Sequence, residues 1–397
     1  LKFERLVKCM SKEQLYNERV EMFKTTVNHK EPIRVPILST YETWVFSYAN
    51  SYVKELDENP EKEIEIYSKP YDDIYTDGIY TSGLAFDAKT AKILGSPSHF
   101  ISEDGQTVQH KEFTPMKVEE YPELIDDPMG YLFNKMLPRK HEKFNQSPDE
   151  IYDTLKEVLD HWKVKFDVFG KLGATCKERH GLPILAGSFA YPPLDIIFDY
   201  LRGFKGTSLD LRRNQEELLA ATHALDEFAN DFLGIHPDTK ELPDFPYYAT
   251  MFHIPTFISN KQFEKFMLPT YMGMVDKIHR LGGKMIMFLE GNWEDKYGWL
   301  NSLPKDFAIG LIEEDDIFKA KKQIGDNITL AGGMPLELMR LSNKERCIDE
   351  AKRIIDTCAP GGGYIFATSR ALLSNGDVNV ENLKAVNEFV HEYGVYK

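Results

Sequence analysis

The chain has 397 residues, of which 42% are hydrophobic and 28% charged, and a net charge of −15. That length is sufficient for one large domain with a sizeable core, and the acidity argues against a phosphate backbone as partner, so no nucleic acid is expected. No apolar run approaches a membrane span, and the charges at Lys2, Glu4, Arg5, Lys8, Lys12 and Glu13 are those of no signal peptide.

Four cysteines, Cys9, Cys176, Cys347 and Cys358, form no CxxC pair and have no histidine at metal-ligand spacing. They read as reduced structural thiols of a cytoplasmic protein. The spacing of Ser11 and Gln14 predicts a capped helix over 11–30, stopped before Glu31-Pro32. Arg34 to Leu38 is a short apolar run that reads as a first buried strand, followed at once by Ser39, Thr40, Tyr41, Glu42 and Trp44. Residues 71–115 are of another kind, with a hairpin expected about Asp104-Gly105. A helical region runs from Asp127 to about Gly170. The stretch 50–170 as a whole is expected to be an insertion capping the mouth of a single domain spanning 1–397.

From Leu182 onward the rhythm is strand then helix. Strands are expected at Leu182–Gly187, Tyr247–Phe252, Lys284–Leu289, Phe307–Ile312, Thr329–Gly332 and Gly363–Ala367. Helices are expected at Gln215–Phe232, Asn260–Leu281, Ile317–Ile324, Leu341–Cys358 and Val380–Tyr393. This alternation predicts a parallel sheet with helical crossovers, and so many units predict closure into a (β/α)8 TIM barrel with an N-terminal helical extension.

Several stretches, in order, carry a family resemblance: Glu18-Arg19-Val20 with His29 to Pro36, Leu201-Arg202-Gly203-Phe204-Lys205-Gly206, Pro255-Thr256-Phe257-Ile258-Ser259, Gly361-Gly362-Gly363-Tyr364-Ile365 and Val380 to Val386. Together they resemble the uroporphyrinogen decarboxylase superfamily, which includes corrinoid-dependent methyltransferases. The decarboxylase uses arginines after its first strand. Leu38 to Trp44 has none here and contains Glu42, so a polycarboxylate would meet no counter-charge. The thiol-directed methyltransferases carry His-x-Cys-Gly where this chain reads Phe288-Leu289-Glu290-Gly291, and Ala367-Thr368-Ser369 stands in place of their later metal cysteine. The chain is more similar to the O-demethylase methyltransferases. That resemblance implies transfer of a methyl group from a methoxylated aromatic compound to the Co(I) corrinoid of a separate protein, since no Asp-x-His-x-x-Gly occurs in this chain. Other donors (a methylamine, a thioether, methanol), decarboxylation, and a non-catalytic tetrapyrrole-binding barrel are the alternatives.

His253 and Glu290 each follow a predicted strand, and Glu313 and Asp316 follow the next. In a parallel barrel such residues converge at the mouth. His253, Glu290 and Glu313 could hold Zn²⁺ with an open position. Equally, Glu290 could act as a proton donor without metal, or the pair could only hydrogen-bond to each other. Asp316 reads either as a site residue or as the N-cap before Ile317. Tyr41, Trp44, Tyr247, Tyr248, Phe252 and Trp293 fall at strand ends or just beyond, and are expected either to wall in an aromatic substrate or to pack beneath the insertion.

Overall fold

A computed structural model describes residues 10–84, 87–96, 98–232, 245 and 247–396. Cys9 lies outside them. Ten strands are described: β1 (Leu38–Ser39), β2 (Gly78–Ile79), β3 (His99–Ile101), β4 (Val108–His110), β5 (Ala186–Phe189), β6 (Tyr247–Met251), β7 (Lys284–Leu289), β8 (Ala308–Ile312), β9 (Thr329–Met334) and β10 (Tyr364–Thr368). Six of them form one parallel sheet in the order β10-β9-β8-β7-β6-β5. The architecture is therefore α/β with a parallel sheet, consistent with the TIM-barrel plan. β1 and β2 pair in parallel over two residues each. Single parallel bridges link Ile37 to Phe366 and Ile79 to Ile184, next to the two edges of the large sheet.

Parity along the strands explains the packing. Tyr247, Ala249, Ile286, Phe288, Ile309, Leu311, Ile365 and Ala367 share one buried cluster. Their alternates Tyr248, Met285, Met287, Leu289, Ala308, Ile312, Tyr364 and Phe366 share another with the helices. A sheet buried on both faces needs apolar residues at both parities, which is why β7, Lys-Met-Ile-Met-Phe-Leu, shows no alternation. The helix Lys12–Val27, capped by Ser11 with Gln14 as expected, adds Val20, Phe23 and Val27 to the first cluster.

Several expected elements recur with matching ends: Lys284–Leu289, Ile317–Ile324, Gln215–Phe232 and Val380–Tyr393. The hairpin forms with His99 opposite His110. β5 starts later than expected, and the helix expected from Leu341 to Cys358 begins at Lys344, after a cap at Asn343 and a separate short helix Leu336–Leu341. The region after Asp127 is several short helices followed by one long one, Pro148–Thr175. β2 was not expected at all, since two residues carry no periodicity.

So short a β1–β2 ladder needs other support. Arg34 and Asp77, both buried, stand just before the two strands and pair through Nη2 and Oδ1 at 2.6 Å, and Tyr75 also donates to Asp77 at 2.7 Å. Asp77 further accepts the Ile37 amide at 2.9 Å, and the Arg19 Nε lies 3.5 Å from it. Burial would raise the Asp77 pKa. The charge and hydrogen bonds of Arg34 and the charge of Arg19 override this and hold it at about 2. Asp77→Asn leaves buried arginines uncompensated and is expected to cost about 3–5 kcal/mol, read as a lowered urea midpoint. Because the folded value lies below the unfolded one, the wild type should hold this contribution above about pH 4 and lose it as pH falls through about 2. A urea midpoint for Asp77→Asn equal to the wild type's would refute the role.

Candidate active site

The chemistry-bearing residues sit where parallel strands end. His253 follows β6, Glu290 follows β7 and Glu313 follows β8. By parity His253 continues the row of Tyr247 and Ala249, Glu290 that of Ile286 and Phe288, and Glu313 that of Ile309 and Leu311. All three line one cavity of about 570 Å³. The hairpin contributes Thr107, Val108 and Gln109 to its wall.

His253 is held on both sides. Its Nδ1–H donates to Asp199 Oδ2 at 2.7 Å, and its Nε2 lies 3.5 Å from Glu290 Oε1. Asp199 also accepts from the Tyr191 hydroxyl. It belongs to a π-helical turn, Ile197–Arg202, and such widened turns recur at functional sites. One helical turn earlier the buried Asp195 accepts the Ile254 amide at 2.9 Å, while its other oxygen has no hydrogen-bond partner.

These contacts set the protonation states. Burial would lower the His253 pKa, but the Asp199 hydrogen bond and the charges of Asp199, Glu290 and Asp195 raise it to about 9. Burial raises Glu290 to about 7, with His253 opposing and the charges of Glu313, Asp199 and Glu42 adding. Asp195 is pushed up to about 8, by burial and then by the Asp199 charge. Near pH 7 the site thus holds an imidazolium beside a carboxyl poised to give up a proton, the pairing of pKa values suited to acid–base work.

Glu290 is aimed by its loop. Gly291 has φ +69°, and a Cβ there would meet the Thr256 methyl at 2.4 Å. Its amide donates to Glu313 Oε2 at 2.7 Å, and the Trp293 indole donates to the Glu290 carbonyl at 2.9 Å.

The expected aromatic walls are placed otherwise. Phe252 and Trp293 are wholly buried, with ring centroids 4.8 Å apart, and pack with Phe263, Tyr271 and Trp299. Tyr41 and Trp44 are likewise buried, 5.2 Å apart. Tyr247 opens β6, at the far end of the strand from His253, where it stacks on Phe245. Tyr248 faces the helices. None of these six lines the His253 cavity. Asp316 caps the helix Ile317–Ile324 through the Phe318 and Lys319 amides and stands outside that cavity.

For zinc, the residues present offer His253 Nε2 and Glu290, while Glu313 is engaged by Gly291. Among the described residues no group of three or more His, Cys, Asp or Glu could hold a metal ion. The three-ligand centre is therefore not assembled in this arrangement.

Asp195, Asp199 and Tyr191 were missed by sequence reasoning. Two aspartates four apart just after a strand were the available signal, since that spacing puts both on one helix face.

The chain is a parallel α/β protein with ionisable groups gathered beyond its strand ends, where sites lie in parallel-sheet folds. Residues 249–393 match the family model of uroporphyrinogen decarboxylase (URO-D), a stretch that contains His253, Glu290 and Glu313. Over 97% of this chain and 99% of that chain, the fold is similar to that of a solved methyltransferase from Methanosarcina mazei, with a TM-score of 0.59 and 13% identity. No curated protein matches the chain. Among the described residues no helix is long and apolar enough to cross a membrane.

If Phe252 and Trp293 support the site rather than touch substrate, Trp293→Ala should lower stability by about 3–5 kcal/mol. The check is denaturant unfolding beside ligand titration. Weakened binding with unchanged stability would return Trp293 to the substrate wall.

Proposed function

We propose that the chain is a methyltransferase that takes a methyl group from a small methoxylated aromatic compound and passes it to a reduced corrinoid on a separate protein, within a barrel closed through the Ile37–Phe366 and Ile79–Ile184 bridges. The observation that carries this is the placing of Glu290, its pKa pushed up to about 7 by burial, 3.5 Å from His253 and facing a cavity with apolar wall residues Met251, Phe288, Leu84 and Leu373. A neutral molecule with one oxygen to be protonated suits such a site. The methyltransferase of similar fold points the same way. A polycarboxylate does not suit it, because Glu42, Glu290 and Glu313 line the cavity and, among the described residues, Arg370 is the only cationic side chain there besides His253.

An unassisted ether is a poor electrophile, since its leaving group would depart as a phenolate, of pKa about 10 by analogy with tyrosine. Glu290 donates its proton to that oxygen as the methyl carbon is displaced. The imidazolium of His253 stabilises the charge that Glu290 acquires. Asp199 orients His253 and keeps it protonated, and Tyr191 holds Asp199. The corrinoid, when its carrier is docked, supplies the nucleophile. No step is assigned to zinc. Its test is turnover after dialysis against a chelator, expected unchanged; activity lost with the metal and restored by zinc would support the metal-ligand reading of His253 and Glu290.

The assay is incubation with Co(I) cobalamin or a corrinoid protein and a panel of methoxyaromatics, following absorbance of the methylated corrinoid. Carbon dioxide release from uroporphyrinogen would overturn the assignment. Glu290→Gln keeps the size of the side chain but removes the proton, and should lower turnover at least about 10²-fold. For the wild type, kcat should decline as pH rises above about 7, where Glu290 loses its proton. Near-normal turnover by a folded Glu290→Gln enzyme would remove the proton donor from the scheme.

A further inference from the structure

The long helix Pro148–Thr175 has two distinct faces. One is turned inward and buries Thr154, Lys165, Val168 and Leu172. The other is open to solvent: Tyr152 is 67% exposed, Leu155 41%, Leu159 61% and Phe166 65%. With the half-buried Trp162, whose ring lies 5.5 Å from that of Phe166, these residues fall at spacings of three and four along the helix. That alternation is the seam of a two-helix coiled coil, in which each side chain enters a hole on a facing helix. Nothing in the reaction proposed above uses it.

We propose that a second copy of this chain covers this stripe, the two helices running antiparallel about a two-fold axis at Leu159. Such a pairing sets Tyr152 of each copy against Phe166 of the other, with the leucines between. A two-fold contact needs a self-complementary patch, and bulky rings at both ends with leucine at the centre satisfy this.

Area and charge favour a like copy. At these exposures, with aromatic side chains of about 150–250 Å² each, the stripe presents on the order of 500 Å² of apolar surface. This is at the upper end of what a monomer ordinarily leaves open. Doubled, it comes to about 1,000 Å², the threshold for a specific interface. Of the lysines beside the stripe, Lys156 and Lys163 donate to Asp160 at 2.7 and 3.2 Å, and Lys171, further along, pairs with Asp167 at 2.8 Å. An identical chain therefore meets no row of unpaired lysines there.

The test is the mass of the full chain in solution at micromolar concentrations, by sedimentation or light scattering. The wild type should run at twice its chain mass of 45.8 kDa. Leu159→Asp places two carboxylates on the axis and removes two buried leucines, so the dimer dissociation constant should rise at least about 100-fold. The circular dichroism spectrum should stay unchanged, because the side chain is exposed in one copy. Leu159→Cys is an independent probe: under mild oxidation it should give a covalent dimer that the wild type does not form. A wild-type monomer at tens of micromolar overturns the proposal, and so does a stripe covered only by a different protein. A dimer that survives Leu159→Asp and is not linked through Cys at 159 overturns it as well.

Discussion

The contact between Phe252 and Trp293 ties the site together. Each belongs to the segment after a different strand, and each is fully buried against Phe263, Tyr271 and Trp299. One residue beyond Phe252 the chain turns back to cavity parity and presents His253. Three residues before Trp293, and bonded to its indole through a backbone carbonyl, stands Glu290. Rings in a close-packed interior cannot shift by an ångström without opening a void or a clash. The 3.5 Å separation of imidazole and carboxylate is thus inherited from the packing of an apolar layer that neither group enters.

Upon that frame the electrostatics are unbalanced by construction. One imidazolium faces Asp195, Asp199, Glu290 and Glu313, and burial withholds the water that would screen them. The surplus negative charge has to be relieved by protons, and it falls on the carboxyls that lack compensating donors. Asp195 accepts one amide and leaves its second oxygen bare. Asp199 instead accepts from both His253 and Tyr191. Two aspartates on one helix, four residues apart, thereby differ in their hydrogen bonding, and the Asp195 pKa is pushed up to about 8, by burial first and then by the Asp199 charge.

Much of this was legible in the sequence, and the reason for each failure is specific. The strands from β6 to β10 could be read because both their faces are buried, leaving short unbroken apolar runs between helical patterns. His253 and Glu290 could be read because chemistry gathers where such strands end. β2 could not, because Gly78-Ile79 owes its place to the buried Arg34–Asp77 pair rather than to its own pattern. The aromatic residues were left between a substrate wall and packing beneath the insertion, although parity bears on the choice. Phe252 falls in the row of Tyr248, which faces the helices, whereas His253 falls in the row of Tyr247 and Ala249. Asp195 and Asp199 were within reach of the same reasoning, as two aspartates about one helical turn apart just beyond a strand, and were passed over.

The match to the URO-D model divides the site in a way that bears on its chemistry. The matched stretch, 249–393, supplies His253, Glu290, Glu313 and the aromatic layer beneath them. Tyr191, Asp195 and Asp199, which fix the charge on His253, come from outside it, as do Glu42 and the hairpin residues Val108 and Gln109 at the cavity wall. The stretch that holds Glu290 also supplies two of the charges that act on its pKa, His253 and Glu313, while Asp199 and Glu42 act on it from outside. Substitution in residues 186–202 can retune His253 and, through it, Glu290, while the rings that aim both remain in place. Substitution in the hairpin can reshape the cavity wall, and at His110, on whose pKa the charges of Asp199 and His253 act, it also touches that tuning. The cavity thus draws its walls from both parts of the chain, and the carboxylates of Glu42, Glu290 and Glu313 line it together.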